Sequence, residues 1–256
     1  MIRMALHQSS YDLRAFLRNR QSQFFTLALP ILFLVIFASV FGSGTVPVAG
    51  GRISTSVSYV PGIIALGVIA ACFGNLVASV TTQRERGVLK RRRATPVPAA
   101  AVIAGRVLTA IVTAVVMSAV LLGIGWAAYG AHVPGRTALA LAVTIVIGAA
   151  SFCCLGYALT SLIRNEDAAL PTTQALLLPL YFISGVFVAV AGLPHWLADI
   201  GEIFPVRHLA NALLIAYNPH TAGPGFAGLD LLIMAAWGAA GLLVALRTFS
   251  WQPLGR

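Results

Sequence analysis

The residues of this sequence that are best suited to binding chemistry are concentrated in one short segment, TTQRERGVLKRRRATPVP, at positions 81–98. The whole chain has 17 basic and 7 acidic residues, and seven of these charged residues lie in this segment. Guanidinium and ammonium groups bind phosphates and carboxylates, so the segment could contact lipid headgroups, a nucleic acid or a partner protein. Its charged residues are Arg84, Glu85, Arg86, Lys90, Arg91, Arg92 and Arg93.

No residue pattern in the sequence is typical of an enzyme. The HExxH zinc motif is absent, and a phosphate-binding loop needs a lysine before serine or threonine, whereas the sole lysine, Lys90, precedes an arginine. Ser184 stands before a glycine but lacks the preceding glycine of a nucleophile elbow. The three cysteines fall in apolar stretches without histidine, which favours buried thiols over a metal site. We therefore predict no catalytic residue, metal site or cofactor on this chain.

Long apolar stretches predict an all-α polytopic membrane protein with a single transmembrane domain, 1–256. Hydrophobic residues make up 59% of the chain, and its mean hydropathy is +0.89. Six stretches without charged residues are long enough, or nearly so, to cross a bilayer, which takes about 20 helical residues. The six predicted spans are Phe24–Phe41, Tyr59–Val80, Val107–Tyr129, Ala138–Ile163, Ala168–Val190 and Leu231–Leu246.

The distribution of basic residues predicts the orientation of these spans. If the N-terminus is cytoplasmic, 14 of the 17 basic residues fall on the inner side, and only Arg52, Arg136 and Arg207 fall outside. This is the positive-inside pattern, so both termini are predicted to be cytoplasmic. The net charge of +10 is then explained by the orientation of the protein in the membrane, and no nucleic-acid partner is predicted. The preference for arginine over lysine indicates a bacterial source, and hence the bacterial cytoplasmic (inner) membrane.

Two segments outside the spans have mixed character. Residues 1–23 predict an amphipathic helix in the inner interface, with Arg14 and Arg18 near anionic lipids, although a soluble helical cap on the bundle is an alternative. Residues 193–230 are too apolar for a solvated loop and too interrupted for a clean span. We expect short interfacial or re-entrant helices there, with Trp196 at headgroup level.

Few polar side chains occur inside the predicted spans. Asn75 lies beside a stripe of small residues in span 2, where it could form an interhelical hydrogen bond or line a cavity. Gln174 lies in span 5 between Pro171 and Pro179, which predict a kinked helix. The absence of buried acidic residues weighs against an ion-coupled carrier, for which Asp230, at the edge of span 6, is the nearest candidate.

Two segments resemble one known family. ERGVLK at 85–90, followed by ATPV at 94–97, is similar to the loop between spans 2 and 3 in permeases of the ABC type-2 exporter family. FISGVF at 182–187, followed by LPHWL at 193–197 and by Phe204 and Pro205, is similar to the span-5 signature of that family. The order of spans and flanking helices is also similar, and the nearest branch is that of the drug-resistance transporters.

The resemblance implies an architecture and a set of partners. In this family the loop is a coupling helix that docks on a separate ABC ATPase, present in two copies, which binds ATP and Mg. Six spans are half of a complete transporter, so a second permease is implied, in a homodimer or a heterodimer. We further hypothesise that Glu85 pairs with Arg14 or Arg18, and that the arginine run also contacts anionic lipid. The implied coupling residues are Arg84, Glu85, Arg86, Gly87, Leu89, Lys90 and Arg91.

The family also implies a substrate cavity between spans 2 and 5 of the two permeases. A mainly apolar lining would suit a hydrophobic or amphipathic drug, antibiotic or lipid. The candidate side chains could equally be packing residues. Two alternative functions stay open: a secondary carrier driven by an ion gradient, and a membrane scaffold of a cell-envelope complex. The substrate-path candidates are Phe73, Asn75, Gln174, Phe182 and Phe187.

Overall fold

The computed structural model describes five residues near the N-terminus and three long ranges, 20–93, 99–187 and 194–248. The structure is 79% helical, in agreement with the predicted helical fold. The five N-terminal residues, Ser9, Tyr11, Leu13, Arg14 and Arg18, are helical. The rest of the predicted interfacial helix before residue 20, and residues 94–98 of the coupling segment, lie outside the described residues.

The elements follow in chain order, with α2 containing a π-helical segment at Ala70–Gly74. In the described ranges they are α1 (Arg20–Val40), β1 (Thr45–Val48), β2 (Gly51–Ser54), α2 (Thr55–Glu85), α3 (Val88–Arg93), α4 (Ala99–Tyr129), α5 (Ala138–Thr160), α6 (Glu166–Ile183), α7 (His195–Ile203), α8 (Pro205–Tyr217) and α9 (Gly228–Thr248).

Four of the described helices are long and apolar enough to cross a membrane: α2, the Val102–Tyr129 part of α4, α5 and α9. The predicted spans Phe24–Phe41 and Ala168–Val190 coincide with α1 and α6, but neither belongs to this set of four. The apolar part of α1 is the shorter segment Thr26–Val40. The first turn of α6 is acidic, and residues 188–190 lie outside the described residues. Six crossings therefore stay a prediction.

Helix α2 forms the centre of the bundle. Every residue from Val60 to Ile69 is buried, which is expected for a helix that is apolar on all sides and surrounded by other helices. It packs against α1, α4, α5 and α8. At roughly 1.5 Å per residue its 31 residues span about 46 Å, so its two ends lie at opposite ends of the bundle.

Helices α5 and α9 form the most extensive helix pair of the structure. A Cβ atom at Gly238 would lie 2.7 Å from Ser151 Oγ, and one at Gly241 would lie 2.9 Å from the Leu155 backbone nitrogen. Small residues of this kind let two helix backbones approach closely in lipid. The contacts advance in the same direction along both chains, so α5 and α9 are parallel and end at the same end of the bundle.

The all-α expectation missed a β-hairpin between α1 and α2. Strands β1 and β2 pair antiparallel, with Thr45 opposite Ser54 and Val48 opposite Gly51. A two-residue turn joins them, and Gly50 adopts a positive φ of 85° there, as tight hairpin turns require. Asn218 Nδ2, after α8, donates to Ala49 O at 2.9 Å. The hairpin, α7 and α8 together cover the end of the bundle at which α2 begins, here called the cap end.

Candidate coupling loop and substrate path

The opposite end of the bundle, here called the loop end, carries the basic segment. Arg84, in the last turn of α2, is only 2% exposed. Its Nη1 donates to Thr160 O at 2.7 Å, and its Nη2 donates to Ile163 O. Thr160 is the last residue of α5, where backbone oxygens lack partners within the helix and attract a cation, and Ile163 lies three residues beyond that helix end. Arg84 therefore joins α2 to α5 and is not available at the surface for a partner.

The residues that follow Arg84 reverse the chain and begin the short helix α3. Gly87 has a φ of 66°, and a Cβ there would meet no atom within 4 Å, so a glycine is required by the backbone conformation alone. Leu89 is only 3% exposed and packs into the hydrophobic core. Arg86, Lys90 and Arg91 are exposed, and we call these three residues the basic face. Among the predicted coupling residues, Arg84 and Leu89 are thus internal, and the three residues of the basic face are exposed.

Arg86, a member of the basic face, has an acidic neighbour. Its Nε lies 3.8 Å from Glu166 Oε2, in the first turn of α6. Because the Arg86 side chain is 69% exposed, this ion pair is worth at most about 1 kcal/mol. The loop nevertheless touches the ends of both α5 and α6, through Arg84 and Arg86 respectively. The sequence analysis missed Thr160, Ile163 and Glu166 as partners.

The structure does not bring Glu85 together with the N-terminal cations. Glu85 is partly exposed, and among the described residues it forms no ion pair with Arg14 or Arg18. The Arg14 guanidinium instead lies over the Tyr11 ring, 5.9 Å from its centroid. The hypothesised pair of Glu85 with either arginine is therefore not formed in this structure.

The five substrate-path candidates occupy different environments. Asn75 directly follows the π-helical segment of α2, and its exposed side chain donates from Nδ2 to Thr26 Oγ1 on α1 at 2.7 Å. The interhelical hydrogen bond considered for Asn75 is thus present. Phe73 is only 4% exposed and packs edge-to-face against Phe152 at 6.5 Å. The structure therefore places Phe73 inside the bundle as a packing residue, away from an open path.

Helix α6 has one buried face and one exposed face. Gln174 and Phe182 are exposed, whereas Thr173 and Leu177 turn towards the bundle. Phe187 is partly buried at the centre of a group of rings that joins α1, α2 and the end of α6. Its ring stacks on Phe37 at 5.6 Å and 11° between planes. We call this group the aromatic cluster. Its members are Phe33, Phe37, Tyr59, Tyr181, Phe182 and Phe187.

A comparison with protein families decides the assignment of this arrangement. The model of the ABC-2 type transporter family matches residues 9–218, which is most of the chain. The chain belongs to the ABC-2 type transporter family. The resemblance inferred from the two signature segments is therefore confirmed, and the chain is a multi-pass membrane protein.

Two curated relatives are similar over part of this ABC-2 type transporter chain. Both are named probable multidrug ABC transporter permease YbhR, one from Escherichia coli K12 and one from Escherichia coli O157:H7. Each is 28% identical over 133 residues, which cover 52% of this chain and 36% of the relative. The match thus spans about a third of the length of these relatives.

The cap end of this ABC-2 type transporter is held by a carboxylate at the start of α9. Asp230 Oδ1 lies 2.6 Å from His208 Nδ1, and Asp230 Oδ2 accepts from Asn211 Nδ2 at 2.8 Å. The other ring nitrogen of His208 lies 2.8 Å from Glu202 O. Asp230 therefore joins α8 to α9, which supports a structural role over ion coupling. Helices α7 and α8 form the predicted helical segment after span 5, and their entry into the membrane stays a prediction.

Proposed function

We propose that this chain is the membrane subunit of an ATP-driven exporter in the bacterial cytoplasmic membrane. Its substrate is a hydrophobic or amphipathic molecule, such as a drug, antibiotic or lipid, which leaves the cytoplasm or the inner leaflet. Family membership supports a partnership with an ABC ATPase, which would bind ATP and Mg on its own chain. The multidrug permease name of the relatives supports the substrate class. The exposed basic face beside the buried Arg84 carries the proposal.

The two groups of loop residues have different tasks in this proposal. The basic face, Arg86, Lys90 and Arg91, contacts the ATPase, because its cations are exposed and lie on the short helix α3 or just before it. Arg84 and Leu89 transmit the movement, because they are buried against the bundle. A displacement of α3 by the ATPase dimer would pull on the end of α5 through the two Arg84 hydrogen bonds. Rigid coupling of this kind biases one of two bundle arrangements.

The substrate path lies along α2 and α6 in this proposal. Two permeases with six spans each, both termini cytoplasmic, would face each other across these helices. Asn75, Gln174 and Phe182 support this path because their side chains are exposed on one chain. Phe187 borders it from the aromatic cluster. Phe73 is left out of the path because its ring is enclosed by the bundle.

The test is capture of the ATPase by the tagged full chain from its native membrane. ATP hydrolysis is measured in the eluate for the wild type and for the Arg86→Gln, Lys90→Gln, Arg91→Gln triple variant. The matched control is the Arg164→Gln, Arg247→Gln double variant, which neutralises exposed arginines at the same end. We expect hydrolysis to be lost in the triple variant alone. Hydrolysis retained in that variant would contradict docking on the basic face, and loss in both variants would indicate general charge attraction.

Transport measurements separate the exporter from its rivals. The chain and its ATPase are reconstituted in vesicles, and efflux is followed with ATP or with an imposed ion gradient. We expect efflux with ATP alone, and its abolition when the catalytic glutamate of the ATPase is replaced. Efflux that follows the ion gradient instead would favour a secondary carrier, and the absence of transport under both conditions would favour a scaffold.

A further inference from the structure

A cavity of about 320 Å³ lies at the cap end, far from the coupling loop. Its walls come from the β-hairpin, the beginning of α2, the residues just after α6, and α8. The residues that give it chemical character are Arg207 and Asn211 on α8, Ser184 after α6, Tyr59 on α2, and Phe187. None of these residues except Phe187 belongs to the substrate path described above.

Arg207 gives the cavity a cation that no described residue neutralises. Its side chain is partly buried, and within the described part of the chain it forms no ion pair and no side-chain hydrogen bond. The nearby carboxylate of Asp230 is already held by His208 and Asn211. A partly buried charge without a partner is costly, so the arrangement favours an anionic ligand beside Arg207.

Ser184 supplies a second, independent observation in the same cavity. The residue is only 1% exposed, and its Oγ has no hydrogen-bond partner among the described residues. A buried hydroxyl without a partner costs about 1–3 kcal/mol, and its O–H can donate to an anion. The hydroxyl of Ser184 and the guanidinium of Arg207 therefore offer donors from two different elements, the end of α6 and α8.

The apolar part of the cavity leads towards the exposed face of the bundle. Phe187 lines the cavity and contacts Phe182 at 5.5 Å between ring centroids. Phe182 is 53% exposed, and Phe37 of α1 also stacks on Phe187. A ligand with an anionic head in the cavity could thus place its apolar tail on the aromatic cluster, where the whole tail would contact apolar side chains.

We propose that the cap-end cavity binds an amphipathic anion, with its phosphate or carboxylate head beside Arg207 and Ser184 and its apolar tail on Phe187. The head accepts hydrogen bonds from the guanidinium and the serine hydroxyl. The tail follows the aromatic cluster towards the membrane-facing side of α1 and α6. The ligand is either a transported molecule or a resident lipid, and only the first assignment rests on the proposed exporter function.

The test uses radiolabelled dodecyl phosphate and the full chain in phosphatidylcholine nanodiscs, with empty nanodiscs subtracted. We expect saturable binding, displaced by unlabelled dodecyl phosphate and not by dodecyltrimethylammonium at the same concentration. Binding should weaken about tenfold or more in Arg207→Gln, the loss expected for one charge-assisted hydrogen bond, and recover in Arg207→Lys. Arg136→Gln, which removes an exposed arginine outside the cavity, should bind like the wild type.

Three results would overturn the site: unchanged binding in Arg207→Gln, an equal loss in Arg136→Gln, or equal displacement by the cationic amphiphile. The elution profile of each variant in gel filtration checks that it is folded. Because the assay contains no ATPase, its failure leaves ATP-driven export standing, and failure of ATPase capture leaves the site standing.

A further measurement distinguishes the two sources of the ligand once binding is established. Dodecyl phosphate is added to the complex of the chain with its ATPase. ATP hydrolysis that rises with the probe in the wild type, and not in Arg207→Gln, identifies a transported molecule. Hydrolysis that does not change identifies a resident lipid. Both results support the site.

Discussion

The two ends of the bundle use arginine in opposite ways. At the loop end, Arg84 is buried, and its guanidinium donates to the carbonyls of Thr160, which ends α5, and Ile163, just after α5. At the cap end, Arg207 faces a cavity without a partner among the described residues. An arginine side chain is therefore a structural clamp between helices at the loop end and a candidate ligand contact at the cap end. The partners of the charge, rather than its presence, distinguish the two roles.

The largest expected effect comes from breaking the clamp. Arg84→Met removes both hydrogen bonds and leaves two carbonyls without partners, so we expect a loss of about 3–4 kcal/mol in the free energy of unfolding. The matched variant Arg86→Met, two residues away and exposed, should change it by less than about 1 kcal/mol. Thermal unfolding of both variants in detergent checks this. Equal midpoints for the two variants would remove the distinction between clamp and basic face.

Two of the three phenylalanines among the predicted path residues, Phe73 and Phe182, should differ almost as much in their effect on stability. Phe73→Ala empties a site in the bundle beside Phe152, and we expect a cost of about 3 kcal/mol. Phe182→Ala truncates an exposed ring and should leave the unfolding midpoint nearly unchanged while altering the transport rates of different substrates. The measurements are thermal unfolding and efflux from vesicles. A stable Phe73→Ala variant with altered substrate preference would return Phe73 to the path.

An intermediate effect is expected at the carboxylate that closes the cap end. Asp230→Asn keeps the shape of the side chain but removes the charge that His208 and Asn211 contact. We expect a loss of about 2 kcal/mol in the free energy of unfolding, since hydrogen bonds to charged groups are stronger than those between neutral groups. Asp199→Asn, on the exposed side of α7, is the control and should have little effect. If both variants unfold at the wild-type temperature, Asp230 does not hold the cap.

The smallest effect belongs to the ion pair between the loop and α6. Glu166→Gln should cost less than about 1 kcal/mol, because Arg86 is largely exposed and solvent screens the pair. The expected midpoint shift is small and should fade as salt is added. A large, salt-independent loss would show that Glu166 holds α6 to the loop more firmly than its exposure suggests.

The sequence predicted the location of the loop but not the division of its arginines. Arg84 and Arg86 are two residues apart in one charged segment, and the composition of that segment does not distinguish a buried arginine from an exposed one. A signal was nevertheless present, because Val77, Val80 and Arg84 recur at helical spacing and lie on the same buried face of α2. The carbonyls that Arg84 contacts lie at the end of α5 and just after it, and no local sequence pattern reveals which helix end packs beside Arg84.

Other features depended on packing that the sequence does not display. The π-helical segment at Ala70–Gly74 changes the directions in which the side chains around it point. Regular helical spacing along α2 therefore could not predict that Phe73 is buried and Asn75 is exposed. The hairpin had only a weak signal, because its turn, Ala49-Gly50, is not one of the dipeptides typical of two-residue hairpin turns, and its two strands have only four residues each. It was missed because apolar spans dominated the composition. The cavity at Arg207 joins four separate segments and has no sequence signature.

The central claim is that the basic face of the loop touches an ABC ATPase, and site-specific photocrosslinking tests it most directly. In one variant of the chain a photoreactive residue replaces Lys90, on the exposed side of α3. In a second variant it replaces Arg136, outside the loop. After irradiation in the native membrane, the account predicts an adduct with an ABC ATPase from position 90 and none from position 136. The absence of that adduct from position 90, in a chain that is folded and inserted, would contradict it.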